Sequence, residues 1–478
     1  MAKSKKWKKP VYIYVPQDFD PKVALPQELQ RHSDSARYFL HRIIWGAVQK
    51  RRNLEGYVPL KFDYLKEVIP SRMVVPIRDA LVESEVIKSD GFYVEGTKSY
   101  GYRLGPRYQS SRIIRVRLED SATAKKVLTI RRAESRRLRL PVHRYLRDNL
   151  KRLEVDLTLA FSLVQDHPCL ELVKIPVERI SNKEIEVSVC RYGRLHSEVT
   201  RCCRAVRPAF HFNGEPLCEI DVSSCQPLLL SLVMISCQQF GESFLSQIRF
   251  PDNAINPYKT IDDLISTTIL PFPQFKDISH PSSILAITTR MEDANQSESP
   301  EIQAFTASED LPPKSGVNRN SLKPDQALFL DLCESGQLYR LLMEEMGWTH
   351  IGDIKRQFFR VLFDRNKRRF PLKTKFRQMF PSVAALIRDF KKKDHSYLSC
   401  LLQNIESHLI IHTVCRRIMA ELPDAPVITI HDAILTTHPH VKMVRAIMVE
   451  EFNRVGLFPT LKIEDYGKKR NMLSNAQK

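Results

Sequence analysis

Val427-Ile428-Thr429-Ile430-His431-Asp432-Ala433-Ile434-Leu435 is a β-branched, apolar run broken once, by a His-Asp pair. The run reads as strand. A carboxylate placed inside it is costly unless paired or metal-bound. A second stretch has the same character. Leu217-Cys218-Glu219-Ile220 ends on Asp221, and Val-Ser-Ser-Cys-Gln226 and an apolar helical run follow. Either aspartate alone reads as a strand end or a helix cap. Together, on adjacent strand ends, two carboxylates can hold two Mg²⁺ ions about 4 Å apart and stabilise both the attacking and leaving oxygens of a phosphoryl displacement. Mg²⁺ favours such oxygen ligands and keeps positions open for substrate phosphates.

The surrounding chain fits a polyanionic partner. Its 478 residues carry 74 Lys+Arg against 55 Asp+Glu, a net charge of +19. That excess favours nucleic acid first and an anionic membrane second. The longest apolar run, Pro227–Cys237, is too short to span a bilayer. Hydrophobic residues make up 43%, enough to bury real cores, and 15 Gly with 29 Pro exclude collagen-like and low-complexity classes. Ten cysteines without a CxxC pair, together with a basic N-terminus that lacks an apolar signal core, predict free thiols and a cytoplasmic protein.

Composition divides the chain. Residues 1–33 form a basic N-terminal arm with five lysines in the first ten positions, read as a solvated tail or as a contact to a phosphate backbone. Residues 34–110 show helix, helix, helix and then a hairpin at Asp90-Gly91, the order of a winged helix that binds duplex nucleic acid or protein. Residues 111–189 are basic and helical, with 14 Lys/Arg and four Asp/Glu between Arg112 and Arg152; periodicity predicts a single helix from Pro141 to Asp166. Within 190–466, positions 271–325 lose apolar periodicity, and 15 of these 55 residues are Pro or Ser, the mark of an insertion. Residues 467–478 are a C-terminal tail.

The order of motifs resembles that of family A DNA polymerases over about residues 190–466. Tyr192-Gly193-Arg194-Leu195-His196-Ser197 is similar to the family's TGRLSS segment, and Arg204-Ala-Val-Arg207-Pro-Ala-Phe210 to the run before motif A. Asp221-Val-Ser-Ser-Cys-Gln226 then stands as motif A. Phe380-Pro381-Ser-Val383 resembles the YPGV turn, Leu401-Leu402-Gln403-Asn404 the Gln-containing helix, and His431-Asp432-Ala433 motif C. Three departures are visible: Ala433 replaces the usual Glu of motif C, Gln226 replaces the Glu that packs against the sugar, and Asp364 occupies the aromatic position of the fingers helix.

The resemblance implies an α+β fold: a right-hand polymerase palm with helical fingers and a thumb-like region, preceded by the winged helix. It implies templated nucleotidyl transfer by a DNA polymerase, with two Mg²⁺ ions on Asp221 and Asp432. Arg356 and Arg360, at i, i+4 spacing on one helix face, would meet the triphosphate, with Lys355 as a substitute, Phe363 as the aromatic and Gln226 as the sugar gate. Arg194, Arg204, Arg207 and Gln403, with His431 beside the metal aspartate, would contact the primer-template. The implied partners are primer-template nucleic acid and nucleoside triphosphates, with no membrane. No Asp is followed two positions later by Glu, so a proofreading exonuclease is not expected. The compact build points to replication of a mobile element. Two alternatives stay open: a single-subunit RNA polymerase-like enzyme, and a non-catalytic replication initiator or DNA-binding protein on a degenerate palm.

Overall fold

A computed structural model describes residues 10–50, 53–95, 98–136, 138, 140–240, 319–392 and 394–476. The lysine-rich start of the arm and nearly all of the Pro/Ser-rich insertion lie outside the described residues. The chain divides into two compact units. The first comprises Met1–Gln226, Ser399–Glu451 and Pro459–Lys478, the second Pro227–Leu398 with Phe452–Phe458. Among the described residues no helix is long and apolar enough to cross a membrane.

The first unit is built on an antiparallel six-stranded sheet. Its strands run Ile428–Ile430, Ala433–Thr437, Glu215–Val222, Phe210–Phe212 and Glu154–Val155, and Leu461–Asp465 also pairs with Glu215–Val222. The expected strand pair at Val427–Leu435 is thus a hairpin. Glu215–Val222 lies between two neighbours, so neither of its hydrogen-bonding edges is open, and residues on both of its faces are buried. Ile220 faces Ile434 and Ile463 across the ladders, while Asp221 faces Ala433 and Lys462. The Tyr466–Ala476 helix packs on this strand.

Ahead of the sheet, the Ser33–Lys50 helix, the Val58–Pro59 strand, the Phe62–Lys66 and Val74–Glu83 helices and the strands Ile87–Ser89 and Gly101–Leu104 follow in order. Their sheet places Gly101–Leu104 between the other two strands. Phe39, Ile44, Ile77, Leu81 and Tyr102 fill the core. Gly105 is required here, since a Cβ would come within 1.9 Å of the Glu85 carbonyl oxygen.

Two stretches differ from their expected form. Within the arm, Tyr12–Pro16 is a strand paired with Ile113–Arg117, and Ile13, Tyr14 and Val15 are buried. It therefore ties the residues before the helix-and-hairpin unit to those after it. The single helix expected from Pro141 to Asp166 is interrupted. It ends at Arg152, Glu154–Val155 joins the sheet beside Phe210–Phe212, and the Asp156 side chain caps a new helix, Leu157–Ser162. Sheet pairing outweighs the helical pattern there.

Among the described residues the second unit is helical: most of Cys225–Phe240, then Pro324–Glu334, Leu338–Met346, Ile351–Phe363, Pro371–Met379 and Pro381–Phe390. Its core is aromatic. Phe329, Phe358, Phe376 and Phe380 are fully buried and meet edge-to-face or tilted, with centroids 5.2 to 6.0 Å apart.

In the first unit, His143 of the Pro141–Arg152 helix packs edge-on against His412 of a π-helical turn, His408–Cys415, with centroids 5.3 Å apart. His408 lies 5.9 Å from His412. Burial holds His143 and His408 down to about 4 and His412 to about 3; Arg416 adds to the effect on His408 and His412. All three are neutral in the folded state at pH 7. As pH falls below about 6.5 the unfolded chain takes up protons that the folded chain refuses, so this contribution to stability is present above that pH and is lost on acidification towards pH 4. Each imidazole adds up to about 1.4 kcal/mol per pH unit. Urea unfolding between pH 7 and 4.5 should show that loss, and His412→Gln should reduce its slope by up to one proton. An unaltered slope would show that the three rings do not drive it.

Candidate active site

Asp221 is the penultimate residue of the Glu215–Val222 strand, and its ladder partner is Ala433, the residue after Asp432. His431 and Asp432 form the two-residue turn between Ile428–Ile430 and Ala433–Thr437, closed by the Ile430–Ala433 pair. The two aspartates therefore sit at adjacent strand ends. Backbone strain marks both. His431 (φ 58°) and Ser224 (φ 54°) are left-handed, two of five such non-glycine residues among those described. A side chain in that region costs roughly 1–2 kcal/mol, and such outliers cluster at functional sites. Asp221, His431 and Asp432 line a cleft of about 570 Å³ with His196, Arg201, Arg204 and Glu219.

The electrostatics centre on a residue that the motif reading passed over. Glu406, three positions after Gln403 on the Tyr397–Ser407 helix, is 2% exposed. Arg194 donates from Nε to Glu406 Oε1 (2.7 Å) and from Nη1 to Gln403 Oε1 (3.0 Å). Gln226 donates its amide to Glu406 Oε2. Its own Oε1 is buried and accepts no hydrogen bond. Burial, with Glu406 and Asp221 as like-charged neighbours, pushes the Asp432 carboxyl well above the ordinary aspartate range. Glu406 is also raised by burial, against the pull of Arg194 and Gln226. The signal in the sequence was an acidic residue at i+3 from Gln403, just ahead of an apolar run.

The donor chemistry fits a divalent cation. Asp221 and Asp432 offer only oxygen, and with Glu406 beside them their neighbourhood holds more negative charge than Arg194 neutralises. A hard ion such as Mg²⁺ suits that set.

The remaining residues fall into two groups. Arg194 and Gln403 join Glu406 beside the aspartates. Arg204 is 59% exposed at the cleft, paired with Glu464 and 3.5 Å from Glu219. Arg207 lines the same cleft and pairs there with Glu219, which also accepts the Tyr466 hydroxyl. His196 packs edge-on to His431 with centroids 6.1 Å apart, and burial, with Arg201 and Arg194, lowers its pKa so that it is neutral at pH 7.

Lys355, Arg356, Arg360 and Phe363 lie on the Ile351–Phe363 helix of the second unit. Ile354, Phe358, Val361 and Leu362 bury one side of it. Arg356 projects outward, paired with Asp353. Arg360 pairs with Asp364 (3.1 Å) and Gln357 (2.7 Å) and lies 4.4 Å from the Phe370 ring centre. Lys355 stands 5.4 Å from the Tyr339 ring centre, and Phe363 stacks on Phe359. Asp364 thus serves as the helix C-cap and the partner of Arg360.

No protein-family model matches the chain, and no curated protein matches it. Among solved structures, the chain is similar to the POL domain of Pol1 from M. smegmatis in complex with DNA primer-template and dNTP. Identity is 12% and the TM-score 0.28, over 72% of this chain and 75% of that one.

Proposed function

We propose that the protein is a template-directed nucleotidyltransferase, a DNA polymerase of family A type without proofreading, in which Asp221 and Asp432 hold two Mg²⁺ ions. The observation that carries this reading is the meeting of the two carboxylates at adjacent strand ends, over a cleft edged by arginines and beside buried Glu406. When bound, the ions would stabilise charge on the attacking primer 3′-oxygen and on the departing pyrophosphate. The chain's own residues bind and orient. Arg201 and Arg204 offer charge to phosphate oxygens in the cleft. Arg194, held by Glu406 and Gln403, fixes the floor beside the aspartates. Arg356 and Arg360 present two cations at one stripe of their helix for the triphosphate. The helix-and-hairpin unit at 34–110, read as a winged helix, supplies duplex contact in this proposal together with the basic Ser121–Arg136 helix.

Primer extension on defined DNA and RNA templates, with dNTPs or rNTPs supplied separately, tests the activity. Asp221→Ala and Asp432→Ala should each lower incorporation on the order of a thousandfold or more while leaving DNA affinity nearly unchanged. Near-wild-type extension by either variant would remove that aspartate from the site. On the Ser121–Arg136 helix, Lys125 and Arg132 are exposed. Replacing both with Ala should reduce the salt slope of duplex binding by about two, roughly one for each phosphate contact, and spare single-nucleotide addition at saturating DNA. An unchanged slope would place the duplex elsewhere.

Gln226, five residues after Asp221, donates to Glu406, and in this reading it walls the sugar pocket. Gln226→Ala should raise ribonucleotide use relative to deoxyribonucleotide by about tenfold or more, since each 1.4 kcal/mol of lost exclusion is a factor of ten. A wild-type enzyme that already uses both equally would support the RNA polymerase-like alternative and remove Gln226 as a gate.

A further inference from the structure

The face of the sheet turned away from Asp221 carries a second set of ligand atoms. Side chains alternate along a strand, so Cys218, three residues before Asp221, points to the opposite face. Its ladder partners are Thr436 and Asp465. His438 begins the turn directly after the Ala433–Thr437 strand. Three elements, all anchored to the Glu215–Val222 strand, thereby converge. His438 Nδ1 lies 3.9 Å from Cys218 Sγ and 3.6 Å from Asp465 Oδ2, and one donor atom from each residue falls within 4.8 Å of the others. Tetrahedral zinc, with bonds of about 2.0–2.3 Å, needs donor separations only a few tenths of an ångström shorter than the two involving His438.

The geometry is fixed where it matters. Asp465 Oδ1 accepts the backbone N–H groups of Gly467 (2.9 Å) and Lys468 (3.1 Å), which leaves Oδ2 for the imidazole side. Gly467 permits this turn: a Cβ there would come within 2.8 Å of Pro216 Cγ and 3.1 Å of Asp465 Oδ1. Cys218 is 2% exposed and forms the floor; His438 is 78% exposed and forms the open rim. Sulfur, imidazole and a single carboxylate are a borderline-soft set that selects zinc over Mg²⁺, the reverse of the oxygen-only pair on the other face.

We propose that Cys218, His438 and Asp465 bind one Zn²⁺ ion, with water in the fourth position. Binding forms the Zn–S, Zn–N and Zn–O bonds, and the thiol proton passes to solvent. The ion would clamp the Leu461–Asp465 strand and the His438 turn to the strand that carries Asp221.

The test is Co²⁺ substitution in the metal-depleted full-length protein, followed by competition with Zn²⁺ and with excess Mg²⁺. The proposal predicts a thiolate-to-cobalt charge-transfer band and four-coordinate d–d bands, displaced by about one equivalent of Zn²⁺ and unaffected by Mg²⁺. Cys218→Ser should abolish the charge-transfer band. His438→Ala, at an exposed position that cannot disturb the core, should weaken Co²⁺ and Zn²⁺ binding about tenfold or more. Absence of the band, its persistence in Cys218→Ser, or unchanged affinity in His438→Ala would each overturn the site.

Discussion

The candidate site depends on gathering acidic side chains: half-buried Asp221 and Asp432 at adjacent strand ends, with fully buried Glu406 beside them. Like charges gathered at a partly desolvated site repel one another more strongly than they would in water. Glu406 is matched by the fork of Arg194 and the amide of Gln226. Asp432 bears the penalty, visible in a carboxyl pushed well above its ordinary range. A fold kept for stability alone would gain by replacing such a group with an apolar one. Retaining it, at a turn that also carries left-handed His431, is the arrangement expected where a cation completes the charge balance.

The sheet explains why these groups meet. Glu215–Val222 has neighbours on both sides, and its two faces have different chemistry. One presents Asp221 and Glu219 to the arginine-edged cleft; the other presents Cys218 towards Asp465 and His438. Hard oxygen ligands and a softer sulfur-containing set are separated by a single layer of backbone. The Glu219 carboxylate gathers Arg207, Arg204 and the Tyr466 hydroxyl. It thereby braces the C-terminal helix against the strand that positions Asp221.

Legibility in the sequence followed the range of each signal. The Val427–Leu435 hairpin was readable because β-branched periodicity is local, and a polar pair inside it is conspicuous. Its placement next to Asp221 was readable only as an expectation, since register is set by long-range pairing. Glu406 was not read because a glutamate on a helix is ordinarily solvated; the partner that compensates its burial, Arg194, lies 212 positions away. The ion pair of Arg207 with Glu219, which lies on a later strand, left no local signal either. The break at Leu153 was hidden because Glu154 and Val155 suit the helical pattern, and the sheet edge that claims them is over 50 residues downstream. The three ligands of the proposed zinc site, at 218, 438 and 465, leave no spacing pattern that a scan for paired cysteines could find.

The most direct measurement is the number of Mn²⁺ ions bound, read by electron paramagnetic resonance on the protein with primer-template and an incoming nucleotide. Wild type should hold about two ions at the oxygen-ligand site, and Asp221→Asn or Asp432→Asn should each remove at least one. Equal occupancy in wild type and in both variants would contradict the account, because the two aspartates would then have no part in binding the ions.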